Sequence, residues 1–179
     1  MKTISLLGKK FKMSVSRSRV RASIDLVAER INSDYEGKDV FLLVVLNGAF
    51  MFATDLIRKL KMPCYISFVK IASYRGEASE GIIRELIGLK EDLNGKHVIL
   101  VEDIVDTGFT LEHIMNQIRT NFNPASIAVA SLLFKPQSYR KSITIDYVGL
   151  EIPNDFVVGC GLDYNCYGRN FEEIYVIES

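Results

Sequence analysis

The sequence predicts an α/β domain with a mainly parallel central sheet flanked by helices, capped by a small hood from the two chain ends. Three observations carry this. Continuous apolar runs at 41–46 (FLLVVL) and 126–134 (SIAVASLLF) suit strands buried on both faces, as parallel sheets require. Segments with helical spacing fall between such runs, so strand and helix alternate. Asn47-Gly48 and Asp106-Thr107-Gly108 stand where a strand gives way to a helix.

Taken in order, residues 14–32 place Val20, Ile24, Val27 and Ile31 at spacings of four and three, an amphipathic helix. Strand 41–46 follows, then a helix over 49–60 on Phe52, Leu56 and Leu60, stopping before Pro63. Residues 65–74 read as the second strand and 82–89 as the return arm of a hairpin. The small and charged residues 75–81 between them suit a flexible lid. Residues 97–101 (HVILV) read as a strand that meets the acids Glu102 and Asp103 at its join with a loop. A helix then starts near Thr110, with Leu111, Ile114, Met115 and Ile118 as its stripe. Strands over 126–134 and 143–150, a short run at 156–159 and an edge strand at 172–177 complete the chain.

At 179 residues the chain reads as one domain, 1–179, with a core over about 36–150 and a hood from the N-terminal segment and 151–179. Lys plus Arg and Asp plus Glu number 22 each, which argues against nucleic acid or a membrane as the main partner, so any anion site is local. Cys64, Cys160 and Cys166 match neither a zinc site nor a disulfide framework and read as reduced thiols of a cytoplasmic protein. No apolar run approaches membrane-spanning length, and the group at 4–7 is too short for a signal-peptide core. A homodimer or homotetramer is expected, with apolar residues around Phe50 to Phe52 as the candidate contact.

The chemistry concentrates in 97–110 (HVILVEDIVDTGFT). No G-x-x-x-x-G-K-[ST] and no G-x-G-x-x-G lies between a strand and a helix, so the common nucleotide loops lose support. Successive N–H groups of a tight turn at a helix start bind anions. Gly108 permits close approach there, and Thr107 and Thr110 add hydroxyls. Acids beside a phosphate repel it unless they meet hydroxyls or a metal, and a ribose phosphate offers both. Two solvated acids at a strand end, followed by an ordinary N-cap and turn, are the plainer alternative.

VEDIVDTGFT resembles the phosphoribosyl diphosphate (PRPP) motif of the type I phosphoribosyltransferases, in the hypoxanthine-guanine branch. Leu46-Asn47-Gly48, Ser73-Tyr74, Leu133-Phe134-Lys135, Phe156-Val157-Val158-Gly159, Leu162-Asp163-Tyr164 and Arg169 agree with that branch in order and spacing over nearly the whole chain. The resemblance implies a purine salvage enzyme that uses Mg²⁺ and moves the phosphoribosyl group from PRPP to N9 of a 6-oxopurine, giving IMP or GMP and pyrophosphate. It implies that Asp106, Thr107, Gly108, Phe109 and Thr110 cradle the 5′-phosphate, and that Glu102 and Asp103 meet the ribose hydroxyls, partly through Mg²⁺. Asp106 becomes the general base near N7. Lys135 donates to the 6-oxo group, Phe156 stacks on the purine, and the main chain of Val157 meets its edge. Asp163 ligates a second Mg²⁺, Arg169, Asn47 and Gly48 contact pyrophosphate, and Ser73 and Tyr74 sit at the lid. Two departures stand out: Asn47 replaces a lysine common in the family and so brings no charge, and Cys160 takes a position that is commonly aromatic. The alternatives are a xanthine-preferring enzyme and a PRPP-sensing regulator on the same fold.

Overall fold

The structure, a computed structural model, describes residues 2–76 and 79–178, with the backbone alone over 72–76 and 79–86. Its elements in chain order are β1 (Thr3–Leu6), β2 (Lys9–Val15), α1 (Arg17–Asp34), β3 (Val40–Leu46), α2 (Phe50–Ile57), β4 (Cys64–Gly76), β5 (Ser79–Ile87), β6 (His97–Val105), α3 (Phe109–Asn121), β7 (Ser126–Phe134), β8 (Tyr147–Glu151), β9 (Val157–Val158) and β10 (Ile174–Ile177).

The main sheet runs β5-β4-β3-β6-β7-β8. Strands β4, β3, β6, β7 and β8 are parallel, and β5 pairs antiparallel with β4 as the return arm of a hairpin. Apolar residues on both faces explain the buried runs. Leu42, Val44, Ile99, Val101, Ala130 and Leu132 pack under α1 and α2, while Phe41, Leu43, Val98, Leu100 and Val129 pack under α3. Helix α1 buries Val20, Ile24, Val27 and Ile31, as its spacing predicts, and Ser16 caps it by accepting from the Arg19 N–H.

Chain order reverses between β3 and β6. From β3 the chain crosses by α2 to β4 on one side, and from β6 it crosses by α3 to β7 on the other. Open α/β sheets bind ligands outside the carboxyl ends of strands at such a reversal, and here those ends carry Asn47-Gly48 and Glu102 to Asp106.

The second, four-stranded sheet is β1-β2-β10-β9, built from both chain ends around Phe11, Val158 and Tyr175. Helix α1, from the N-terminal segment, packs instead on the main sheet. The β1–β2 hairpin has no counterpart in the sequence reading. Its turn is Leu7-Gly8, both with positive φ, a signal that the short alternation of lysines and apolar residues around it did not make plain. Strand β10 is not an edge, since it pairs with β2 on one side and β9 on the other. Strand β8 begins at Tyr147, because 143–146 turn aside: the Ile143 carbonyl accepts from the Tyr139 hydroxyl and Asp146 accepts from the Val129 N–H. Strand β6 runs through Glu102 and Asp103 to Val105, so the acids lie within the strand. The expected contact patch divides: Phe50 is exposed, while Phe52 is wholly buried core.

Leu43→Ala, at the centre of the sheet, is expected to cost about 2–5 kcal/mol, and Leu26→Ala on the exposed face of α1 less than about 0.5 kcal/mol. Urea unfolding of the two variants against the parent checks this, and equal losses would contradict the layering.

Candidate active site

The parallel register builds the site. Along β6 and β7, partners differ by 29 residues, His97 facing Ser126 and Val105 facing Phe134. The next pair in that register is Asp106 and Lys135, and Lys135 Nζ donates to Asp106 Oδ2 at 3.0 Å. Lys135 is buried and Asp106 more open, so the pair is sheltered at the ammonium and reachable at the carboxylate.

On the other flank β6 lies against β3, and the turn after β3 meets Asp103. The Leu46–Asn47 peptide is cis. A Cβ at Gly48 would overlap the Asp103 carboxylate, so only glycine admits that approach. Gly161, at φ +97, packs in turn on the Gly48 carbonyl. Gly161 N–H donates to the Arg169 carbonyl (2.9 Å), and Arg169 Nη1 donates back to the Gly161 carbonyl (2.6 Å). The guanidinium also pairs with Asp163 Oδ1 at 2.6 Å, while Asp163 Oδ2 accepts from the Cys166 N–H. Arg169 acts on Asp103 through its charge as well, favouring the ionised carboxylate. Asn47-Gly48, Asp103, Gly161, Asp163 and Arg169 therefore converge on one side of β6.

Glu102 Oε2 is sealed from solvent and has no hydrogen-bond partner among the described residues. Burial, with repulsion from Asp103, pushes its carboxyl well above the usual carboxylate range. Asp103 is buried too, and burial pushes it up to about 6 against the N–H bond from Ile104 and the Arg169 charge. Two adjacent desolvated acids are an unfavourable pair for the protein alone. Among the described residues no three metal-ligating side chains gather in one cluster, so Glu102 with Asp103 and Asp163 remain separate candidate positions.

Residues 106–110 form the turn into α3. Gly108 takes φ +87 as its N-cap residue, and no side chain caps the helix, so the first N–H groups have no side-chain acceptor. A cavity of about 90 Å³ lies here, lined by Glu102 and residues 104–111. Larger clefts lie at the opposite ends of the strands, around Asn32 and Lys61 and around Tyr65, away from these side chains. Phe156 is half-exposed, edge-on to Tyr164 with ring centroids 5.9 Å apart, while Val157 is buried in β9. The Ile152 N–H donates to the Phe134 carbonyl, so the chain toward Phe156 leaves the sheet one residue from Lys135. Cys160 is buried, with its thiol pushed up to about 12 by burial, which fits packing rather than reactivity. Ser73 and Tyr74 lie on the backbone of β4, and the lid expected over 73–81 includes positions outside the described residues.

The sequence reading missed two groups. Gly161 was passed over although several glycines cluster nearby in the chain. Tyr139, Arg140 and Lys141 pack against the outside of the 106–110 turn, and nothing in their spacing signals it.

A model of the phosphoribosyl transferase domain matches residues 16–165. The chain belongs to the phosphoribosyl transferase family. It is 40% identical over 171 residues to a hypoxanthine-guanine phosphoribosyltransferase of Mycobacterium tuberculosis, covering 92% of this chain and 84% of that one. It is 38% identical over 160 residues to a hypoxanthine phosphoribosyltransferase of Haemophilus influenzae, covering 87% and 89%. A hypoxanthine-guanine phosphoribosyltransferase structure from Bacillus anthracis superposes with a TM-score of 0.86 at 31% identity, covering 94% of this chain and 97% of that one. A hypoxanthine phosphoribosyl transferase from Trypanosoma cruzi gives 0.85 at 36% identity, covering 93% and 91%. The fold is that of the type I members of the family, as the resemblance of 97–110 implied.

The raised pKa of Asp103 has a sign that can be measured. The folded protein holds this proton more tightly than the unfolded chain, so there is no cost well below the unfolded value of 3.8. The cost grows as pH rises from 3.8 towards about 6 and levels off above it. The plateau is on the order of 3 kcal/mol. Asp103→Asn keeps the oxygen that accepts from Ile104 and removes the charge. Its stability relative to the parent, from urea unfolding, is expected to rise by about 2 kcal/mol between about pH 4.5 and pH 7.5; a difference that does not change with pH would contradict the burial argument.

Proposed function

We propose that this family member is a purine salvage enzyme, a hypoxanthine-guanine phosphoribosyltransferase that joins the 5-phosphoribosyl group of PRPP to N9 of hypoxanthine or guanine, releasing pyrophosphate. The observation that carries it is the Asp106–Lys135 pair: a base-reading cation and a proton acceptor locked together beside an anion-binding turn.

In the reaction the bond from the anomeric carbon to pyrophosphate breaks, the bond to N9 forms, and the purine gives up one proton. The N–H groups of 107–110 hold the 5′-phosphate with the help of the α3 dipole. Asp106, at the mouth of the same turn, accepts or stabilises the proton at N7, and its partly exposed carboxylate suits that task. Lys135 donates to the 6-oxo group while bonded to Asp106, so an incoming base enters an existing hydrogen-bond pair. Adenine, lacking an acceptor there, leaves the ammonium facing an amino group, which is costly. Phe156 offers an exposed ring face for stacking, worth about 1–3 kcal/mol without choosing between bases. The main chain of Val157 meets the purine edge.

Arg169, Asn47 and Gly48 bind the departing pyrophosphate. Asn47 contributes no charge, which leaves Arg169 as the cation of that subsite. Mg²⁺ fits the residues present: the unpartnered Glu102 oxygen and the buried Asp103 carboxylate are relieved by a cation, and Asp163 is the candidate for a second ion after exchanging its pairing with Arg169. When bound, Mg²⁺ supplies charge stabilisation for the diphosphate. Ser73 and Tyr74 belong to the lid that excludes water from the cationic sugar.

The free thiols Cys64, Cys160 and Cys166 go with a cytoplasmic setting, and no described helix is long and apolar enough to cross a membrane. The exposed side chains of Phe50, Ile66 and Phe68 support assembly as a homodimer or homotetramer.

Two outcomes test this function. Offered separately with PRPP and Mg²⁺, hypoxanthine and guanine are expected to give nucleotide and pyrophosphate and adenine none; no turnover with any 6-oxopurine sinks the proposal, and xanthine turned over fastest favours the xanthine-preferring alternative. Asp106→Ala is expected to lower kcat by about 10² to 10⁴-fold while PRPP still binds, and an unchanged rate removes Asp106 from the proton transfer.

A further inference from the structure

The segment after Lys135 does not simply leave the site. Residues 135–141 fold back over the outer side of the 106–110 turn and hold it by three kinds of contact. The Arg140 N–H donates to the Thr107 carbonyl at 3.2 Å. The Tyr139 ring and the Lys141 stem lie so close to Gly108 that a Cβ there would sit 2.9 Å from Lys141 Cγ and nearer still to the ring. The Lys141 ammonium lies 4.0 Å from the centre of the Phe109 ring and donates to Glu112 Oε2 at 2.6 Å. The Lys141 side chain is only 16% exposed, although its partners Glu112 and Phe109 are open to solvent.

Lys141 therefore ties the first turn of α3, at Phe109 and Glu112, to the segment that begins at Lys135. It also answers a conflict of charge. Glu112 is the acid in the first turn of α3, and uncompensated it would compete with a bound anion for the positive helix end. Paired with Lys141, it does not.

Building on the proposed function, we propose that Lys141 is a positioning residue for PRPP: through Glu112 and Phe109 it holds the phosphate-binding turn in its receptive shape without touching the substrate. The residue ligates nothing itself. Its loss frees the turn and uncovers the Glu112 charge, and both changes weaken binding of a 5′-phosphate while leaving the base subsite and the proton transfer alone.

The test compares Lys141→Met and Lys141→Arg with the parent in two measurements. In steady-state turnover with hypoxanthine, Lys141→Met is expected to raise KM for PRPP about tenfold, with kcat and KM for the base within about twofold, and Lys141→Arg is expected to restore most of the difference. In hydrogen exchange of the unliganded proteins, amides of 107–112 are expected to exchange about tenfold faster in Lys141→Met, while those of β3 at the sheet centre keep their rates. A KM for PRPP that stays at the parental value, or a loss confined to kcat, overturns the proposal. If the parent itself shows no turnover, the proposed function has failed, and the exchange measurement decides by itself whether Lys141 holds the turn: unchanged rates over 107–112 overturn it. Faster exchange throughout the protein, β3 included, also overturns it, since Lys141 would then be a general stabilising residue.

Discussion

The site depends on β6 being paired in parallel on both sides, with β3 on one flank and β7 on the other. A parallel ladder sets which residues emerge side by side at its carboxyl end. Here the β7 register brings Lys135 beside Asp106, and the β3 flank brings Gly48 against Asp103. A slip of one residue on either side would exchange the faces to which Glu102 and Asp103 point and would part Lys135 from Asp106. Ile99 and Val101 of β6 pack in the layer of α1 and α2, and Val98 and Leu100 in that of α3.

Around this frame the charges fall into two kinds. Asp106, Asp163 and Glu112 are paired with Lys135, Arg169 and Lys141, each through a contact of 3.0 Å or less. Among the described residues Glu102 and Asp103 have no cation in direct contact; they lie out of water, and burial raises their pKa values. Stored electrostatic cost at the end of a buried strand is what a ligand-binding centre holds when its ligand is a cation or a set of hydroxyls.

The two sheets divide the work. The main sheet presents the turn of 106–110 and the Asn47-Gly48 turn, and the smaller sheet carries Phe156 and the strand after it. One close backbone approach joins them, Gly161 on Gly48, and Arg169 braces it through the Gly161 carbonyl. Side-chain packing joins them as well, since Val15, Val157, Cys160 and Ile174 share the core of the main sheet.

Much of this was legible in the residues themselves. Strand 126–134 and the stripes of α1 and α3 follow from periodicity, because burial on one or both faces leaves a period that the chain cannot hide. The acids and the Asp-Thr-Gly turn were likewise evident as residue types suited to a phosphorylated sugar, whereas Lys135 entered only through the family resemblance. What periodicity could not supply is anything that depends on which strands become neighbours. The Asp106–Lys135 pair spans 29 residues, the Gly48–Gly161 contact spans most of the chain, and the fold-back of Tyr139 to Lys141 leaves no local pattern at all. The β1–β2 hairpin and the interior place of β10 escaped for the same reason, since a short strand has too few residues to declare its neighbours. Local sequence therefore determined the elements and the chemistry they carry. Tertiary structure alone decided which charges are paired, which are left buried, and what packs against the 106–110 turn, because those depend on register and close approach between distant segments.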